Sequence, residues 1–111
     1  MKQIGIWIIS AVCIVAVNTA GAEEGSTIFK SLGCMVCHKK ESTSKVNPSL
    51  TEIATAYQDK EEQLSIYLKG DSEAIVRPEK AKLMKRHIQK TKSLSDTDRK
   101  ALADFILTHK N

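Results

Sequence analysis

The chain has 111 residues, which suffices for one ordinary domain but not for two. Its 17 basic and 13 acidic residues give a formal net charge of +4 at pH 7, and only 5% of its residues are aromatic. With so few aromatic side chains to stack between bases, a nucleic-acid-binding function is not expected.

Residues 1–22 have the pattern of a secretory signal peptide. Lys2 supplies a positive start, residues 4–17 are almost entirely apolar, and Ala20-Gly21-Ala22 forms a small-x-small cleavage site. The apolar run of 14 residues is shorter than the roughly 20 residues of a membrane-spanning helix, although an uncleaved membrane anchor stays open as the alternative. We therefore predict export to the periplasm, with a mature domain over residues 23–111 that is not inserted in the membrane once the signal is removed.

The mature chain predicts an all-α fold of four or five short helices. Several segments place apolar residues on one face at helical spacing, and none shows the alternating pattern of a strand. The predicted helices run from a cap at Ser26 to Leu32, from Thr51 to Tyr57, from Lys60 to Lys69, from Pro78 through the segment PEKAKLMKRHIQK, and from a cap at Ser95 to about His109. Four aromatic residues are few for such a bundle, so its core needs a large apolar filler.

The stretch GCMVCHKK places Cys34 and Cys37 three residues apart, with His38 directly after them. A structural zinc site needs four ligands, and the sequence has no second cysteine pair to complete one. A thioredoxin-like dithiol follows a strand, whereas the segment before Gly33 is predicted to be helical. The pattern C-x-x-C-H is instead the attachment signature of c-type haem. We therefore predict one covalently bound haem c, with both cysteines as thioether links and His38 as an axial iron ligand.

Residues 25–111 resemble a small bacterial class I c-type cytochrome. The stretch STIFKSLGCMVCH resembles the first helix and haem motif of that family, VNPSL resembles its V-G-P-x-L loop, and LSDTDRKALADFIL resembles its closing helix. The resemblance implies the small cytochrome c fold around one haem, in which the carbonyl of Pro48 accepts a hydrogen bond from His38. Asn47 departs from the family pattern, because glycine is usual at that position. The resemblance also implies that the first and last helices cross at Gly25, Phe29, Leu102 and Phe105.

Met84 is the predicted second axial ligand of the haem iron. Met35 is tethered inside the short loop between the cysteines, whereas Met84 follows His38 by 46 residues, which is enough chain to wrap around the ring. Two alternatives stay open: Met84 packs only in the core, or His87 takes its place as ligand. The segment after Met84 is predicted to be helical, whereas the distal methionine of the resembled family commonly lies in a loop before a proline.

Several further side chains are candidates for the lining of the haem pocket, although helix packing explains Leu50, Tyr57, Leu68 and Ile88 equally well. These candidates are Pro48, Leu50, Tyr57, Tyr67, Leu68 and Ile88. Tyr67 is also a candidate hydrogen-bond donor near a haem propionate or the distal ligand. His109, near the C-terminus, is expected to be exposed and without a role in function.

An iron with both axial positions filled can gain or lose one electron, and the sequence suggests no catalytic acid, base or nucleophile. We therefore expect a monomeric one-electron carrier rather than an enzyme, shuttling between respiratory or other redox partners. Residues 77–92 contain seven basic residues and one acid, and they surround Met84. Such a patch predicts transient docking to an acidic surface, which the resemblance assigns to a terminal oxidase or a quinol-oxidising complex.

Two alternative functions stay open beside the freely diffusing carrier. The chain could be an electron-transfer subunit of a periplasmic redox enzyme complex, for instance one that oxidises sulfur compounds. It could instead be a haem-based gas-binding or sensor protein, which requires a vacant or labile sixth position on the iron. Tight binding of carbon monoxide to the reduced protein would favour the sensor and count against Met84 as a ligand.

Overall fold

The computed structural model describes residues 20–110, which fold into five α-helices and two 3₁₀ segments without a strand. The all-α prediction is confirmed for this part of the chain. The helices are α1 (Ala20–Ser31), α2 (Leu50–Ala56), α3 (Glu61–Leu68), α4 (Lys85–Lys92) and α5 (Asp96–Leu107), and the 3₁₀ segments are Cys34–Val36 and Pro78–Met84.

The predicted signal peptide lies largely outside the described residues. Only its last three residues, 20–22, are described, and they form the start of α1. None of the helices between residues 20 and 110 combines the length and the hydropathy needed to cross a membrane.

Helix α1 begins earlier than the sequence predicts. Ser26 was expected to cap it, but the helix starts at Ala20 and Ser26 lies inside it, so that prediction is wrong. The physical reason is that alanine and glutamate, which are strong helix formers, outweigh the two glycines in the stretch AGAEEG before Ser26, with Glu23 placed favourably near the positive end of the helix dipole. The helix ends as predicted before Gly33, whose φ of 76° reverses the chain direction.

Helices α1 and α5 pack closely against each other and form the frame of the domain. Gly25 is buried at their crossing, where an added Cβ would collide with the carbonyl of Ala101 and lie 2.7 Å from the Cβ of Phe105. The rings of Phe29 and Phe105 pack with centroids 5.3 Å apart. The crossing therefore depends on a residue without a side chain, and Leu102 fills the space beside it with only 1% exposure.

Helices α2 and α3 both pack against α5. The hydroxyl of Ser49, a cap that the sequence reading missed, accepts a hydrogen bond from the backbone N–H of Glu52 at 3.0 Å. Leu64 and Leu68 are buried on α3, and Gly70, with a φ of 85°, lies just beyond its end. Both helices lie within two residues of their predicted bounds, because their apolar faces and stop signals are local.

The segment predicted as one helix from Pro78 is divided in two. Residues Pro78–Met84 form a 3₁₀ segment, and α4 starts only at Lys85. In a 3₁₀ segment residues three apart lie on the same side, so Ala81 and Met84 share a face. Met84 therefore lies at a junction between two helical geometries rather than in the middle of an α-helix.

A buried arginine ends α4, which the sequence reading did not foresee. Arg99 is 5% exposed, and its guanidinium donates hydrogen bonds to the carbonyls of Thr91, Lys92 and Leu94. These carbonyls lie at and just beyond the end of α4, where intrahelical hydrogen bonds run out, although the Thr91 carbonyl also accepts one from the backbone N–H of Leu94 at 3.2 Å. The Thr91 hydroxyl in turn donates to the carbonyl of Leu68 at 2.6 Å, which ties α4 to α3.

Candidate haem-binding site

A cavity of about 350 Å³ lies between the helices and the loop that precedes α2. Its volume is in the usual range for small-molecule and cofactor sites, and most of its lining is apolar. Nine residues singled out from the sequence line it: Cys34, Cys37, His38, Pro48, Leu50, Tyr57, Tyr67, Leu68 and Met84. Ile88 does not, because its side chain packs against the turn at Gly70 instead.

His38 is fixed at one wall of the cavity by the loop proline. The imidazole is 8% exposed, and its Nδ1 lies 2.8 Å from the carbonyl oxygen of Pro48. A carbonyl can only accept, so Nδ1 carries the proton and donates it to this hydrogen bond. The other ring nitrogen, Nε2, is therefore left with its lone pair directed into the cavity.

Met84 contacts His38 in the lining of the cavity. The thioether sulfur Sδ lies 3.4 Å from Nε2 of His38. Because the ring proton is on Nδ1, no proton lies between these two atoms, and two lone pairs point toward each other. An imidazole nitrogen and a thioether sulfur, each with a free lone pair, are the ligand types that bind haem iron in proteins.

The described residues suit a metal ion whose other coordination positions are filled by a non-protein ligand. Between residues 20 and 110, no cluster of three or more histidine, cysteine, aspartate or glutamate side chains could hold a bare ion. One imidazole and one thioether cannot complete the coordination of iron by themselves. They do suit an iron whose four equatorial positions are already occupied by a macrocycle.

The two cysteines lie next to this pair on a tight turn. The backbone N–H groups of Cys37 and His38 both donate to the carbonyl of Cys34, at 3.3 and 2.9 Å. Cys34 is half-buried and Cys37 is exposed, and neither forms a disulfide. Burial raises the pKa of the Cys34 thiol, with the charge of Lys90 acting in the opposite direction. Two thiols and one imidazole therefore converge on a single face of the cavity.

Comparison with known proteins agrees with this arrangement. A family model for cytochrome c matches residues 22–110. The chain belongs to the cytochrome c family. Cytochrome c-552 of Nitrosomonas europaea is similar to it, with 34% identity over 92 residues that cover 80% of this chain and 82% of the relative. Family membership implies a covalently attached haem c, and Cys34 and Cys37 fit its attachment motif.

Two tyrosines line the cavity of this cytochrome. The rings of Tyr57 and Tyr67 stack with centroids 6.5 Å apart. Burial raises the pKa of both hydroxyls, so both stay protonated at neutral pH. Tyr67 therefore retains the O–H that its predicted role as a donor requires.

The two remaining histidines of the cytochrome differ in their relation to the cavity. His87 lines it one helical turn beyond Met84, as its role as competing ligand requires. His109 was expected to be exposed, but it is partly buried: its ring packs edge-on against Phe105 with centroids 4.9 Å apart. His109 does not line the cavity, and its Nδ1 lies 3.0 Å from the Phe105 carbonyl.

Two basic residues that the sequence analysis assigned only to the surface patch, Arg77 and Lys80, line the cavity. Arg77 was counted in the basic patch, yet its side chain turns inward and pairs with Glu52. Its Nη2 lies 2.8 Å from one carboxylate oxygen, and its Nε lies 3.1 Å from the other. Of the seven basic residues between 77 and 92, six are left exposed: Lys80, Lys82, Lys85, Arg86, Lys90 and Lys92.

Proposed function

We propose that this cytochrome is a periplasmic one-electron carrier whose haem iron is held between His38 and Met84. The observation that carries the proposal is the 3.4 Å approach of two side-chain atoms, Nε2 and Sδ, in the lining of an apolar cavity. When bound, the haem supplies a reversible exchange between Fe(III) and Fe(II).

The protein side chains limit the chemistry to that exchange. With a thioether on the second axial position, no open site is left for a substrate or a gas, and methionine ligation favours the reduced iron. The hydrogen bond from His38 to Pro48 fixes the imidazole in one orientation and one tautomer. Because both ligands come from the folded protein, the site stays similar in its two redox states.

The exposed basic residues support the proposal that the redox partner has an acidic docking surface. The six outward-facing bases follow or surround Met84, and Leu83 beside it is 59% exposed. Electrostatic steering of this kind accelerates encounter without making the complex long-lived, which suits a carrier. We infer a monomer that docks in this way on a terminal oxidase, a quinol-oxidising complex or a periplasmic redox enzyme.

Voltammetry of the purified haem protein under carbon monoxide tests this function. We expect one reversible one-electron wave that is unchanged by the gas, because Met84 occupies the sixth position. A large positive shift of the wave under carbon monoxide would contradict the carrier and favour a gas-binding protein. Export is tested separately by mass spectrometry. The periplasmic fraction should contain a polypeptide whose mass corresponds to a chain that begins at Glu23.

A further inference from the structure

Arg77 joins three segments that are distant in the sequence. Its guanidinium forms a two-point ion pair with Glu52 on α2, and its Nη1 donates to the carbonyl of Ser44 at 2.7 Å. Its own backbone leads directly into Pro78–Met84, the segment that presents Met84. Planar two-point pairing of this kind fixes orientation as well as distance.

The contact with Ser44 continues toward His38. The Ser44 hydroxyl accepts a hydrogen bond from the backbone N–H of Asn47 at 3.0 Å. The next residue is Pro48, whose carbonyl accepts the hydrogen bond from His38. A continuous set of contacts therefore links the segment of Met84 to the orientation of the opposing imidazole.

The backbone of Arg77 indicates that its side chain has a specific task. Its φ of 46° and ψ of 59° lie in the left-handed region, which is unfavourable for a residue with a Cβ. Glycine would adopt this conformation without strain but would lack the guanidinium. The arginine side chain is only 23% exposed, so it is not an ordinary solvent-facing base.

We propose that Arg77 is a positioning residue, which holds the segment of Met84 against the loop of Pro48 and so keeps Met84 on the iron. The proposal rests on the function above, in which Met84 is the ligand. Without the pairing to Glu52, the 3₁₀ segment separates from the loop more often. The sixth position then opens to competing ligands without any change in His38 or the cysteines.

Imidazole titration of the oxidised haem protein, followed by absorption, measures this opening directly. Imidazole binds only when Met84 has left, so its apparent affinity reports the open fraction. We expect Arg77→Lys and Glu52→Gln each to tighten imidazole binding by roughly three- to tenfold, and the double variant to add little more. Such non-additivity follows because either change breaks the same pair.

Lys100→Gln is the matched control. Lys100 pairs with Glu61 and Asp104 at 3.1 and 3.0 Å, outside the cavity lining, so its loss removes ion pairs without touching the loop or Met84. Imidazole affinity should stay at the wild-type value in this variant. If Arg77 had a merely structural role, Arg77→Lys would lower the melting temperature but leave imidazole binding unchanged.

Two results would overturn the proposal. One is imidazole binding by Arg77→Lys and Glu52→Gln that matches Lys100→Gln. The other is an effect of Arg77→Lys that Glu52→Gln does not share, since the arginine would then act without its pair. Failure of the proposed function looks different, because the unmodified protein would itself lack the far-red absorption band of methionine-bound iron.

Discussion

Nε2 of His38 lies 3.4 Å from Sδ of Met84, although 46 residues separate the two in sequence. The fold brings them together from different elements: His38 follows the turn that carries the cysteines, and Met84 ends a 3₁₀ segment. The Pro48 carbonyl holds the proton of the imidazole on the far nitrogen. Both atoms therefore present a lone pair in the cavity lining, as the proposed ligation of one iron requires.

The crossing of α1 and α5 predicts a large cost for a single added methyl group. Gly25→Ala places a Cβ against the Ala101 carbonyl, so the helices must separate. We expect the free energy of unfolding to fall by about 1–3 kcal/mol, as for other overpacked sites, despite the better helix propensity of alanine. Denaturant unfolding of the haem protein measures this.

Thr27→Ala is the control for that change, since Thr27 is exposed on the same helix. It should leave the unfolding midpoint nearly unchanged. Equal midpoints for Gly25→Ala and Thr27→Ala would contradict the close crossing.

The buried guanidinium of Arg99 predicts a second stability effect. Arg99→Met removes the guanidinium donors from the carbonyls of Lys92 and Leu94 and leaves the Thr91 carbonyl with backbone donors only. We expect a loss of about 2–3 kcal/mol in the free energy of unfolding, because buried acceptors without partners are costly. Thermal or denaturant unfolding gives the value.

The ion pair of Arg99 with Asp96 should matter much less. Asp96 is 89% exposed at its side chain, so Asp96→Asn is expected to cost only about 0.5 kcal/mol. If both substitutions destabilised the protein equally, the ion pair rather than the end of α4 would be the source of the effect.

The exposed bases near Met84 predict a salt-dependent rate of electron transfer to an acidic partner. Replacing Lys80, Lys82 and Lys85 by glutamine should lower the second-order rate at low ionic strength by about tenfold, since steering is lost. The rate should also depend less on salt than in the unmodified protein. Stopped-flow kinetics across a range of ionic strength checks both expectations.

A triple variant of equal net charge isolates the position of these bases. Lys30, Lys60 and Lys110 lie outside the cavity lining, and their replacement by glutamine should change the rate much less. The patch would have no special role if the two triple variants reacted alike.

The buried tyrosines predict a loss of stability at alkaline pH. Burial raises the pKa of Tyr67 in the folded protein, whereas the unfolded chain releases this proton near pH 10. Stability is therefore full below about pH 10 and falls as the pH rises toward the folded-state pKa. Tyr67→Phe removes this loss, so its alkaline unfolding midpoint, measured by circular dichroism, should lie at higher pH. An unchanged midpoint would show that another group governs alkaline unfolding.

The structural features that could be predicted from the sequence depend on residues that lie close together in the chain. The spacing of Cys34, Cys37 and His38 fixes their relation within one turn, and the stop of α3 at Gly70 and the cap of α5 at Ser95 are equally local. Met84 could also be singled out from the sequence as the candidate ligand, because Met35 is tethered between the cysteines, and the structure places Met84 against His38. Its position at the end of a 3₁₀ segment could not be predicted, since helical periodicity does not distinguish that geometry from an α-helix.

The structural features that could not be predicted from the sequence depend on contacts between segments that are distant in the chain. Arg77 reads as one more surface base until the fold brings Glu52 and Ser44 to it across 25 and 33 residues. Arg99 likewise looks like a solvent-facing residue of an amphipathic helix until the end of α4 packs on it. Long charged side chains can serve either surface or interior, and only their partners decide which.

The far-red absorption of the oxidised protein tests the central claim most directly. We predict the weak band of methionine-bound iron in the unmodified protein and in His87→Ala, and its complete loss in Met84→Ala. An unmodified protein without this band, or a band that persists in Met84→Ala, would contradict the pairing of His38 with Met84 across the haem.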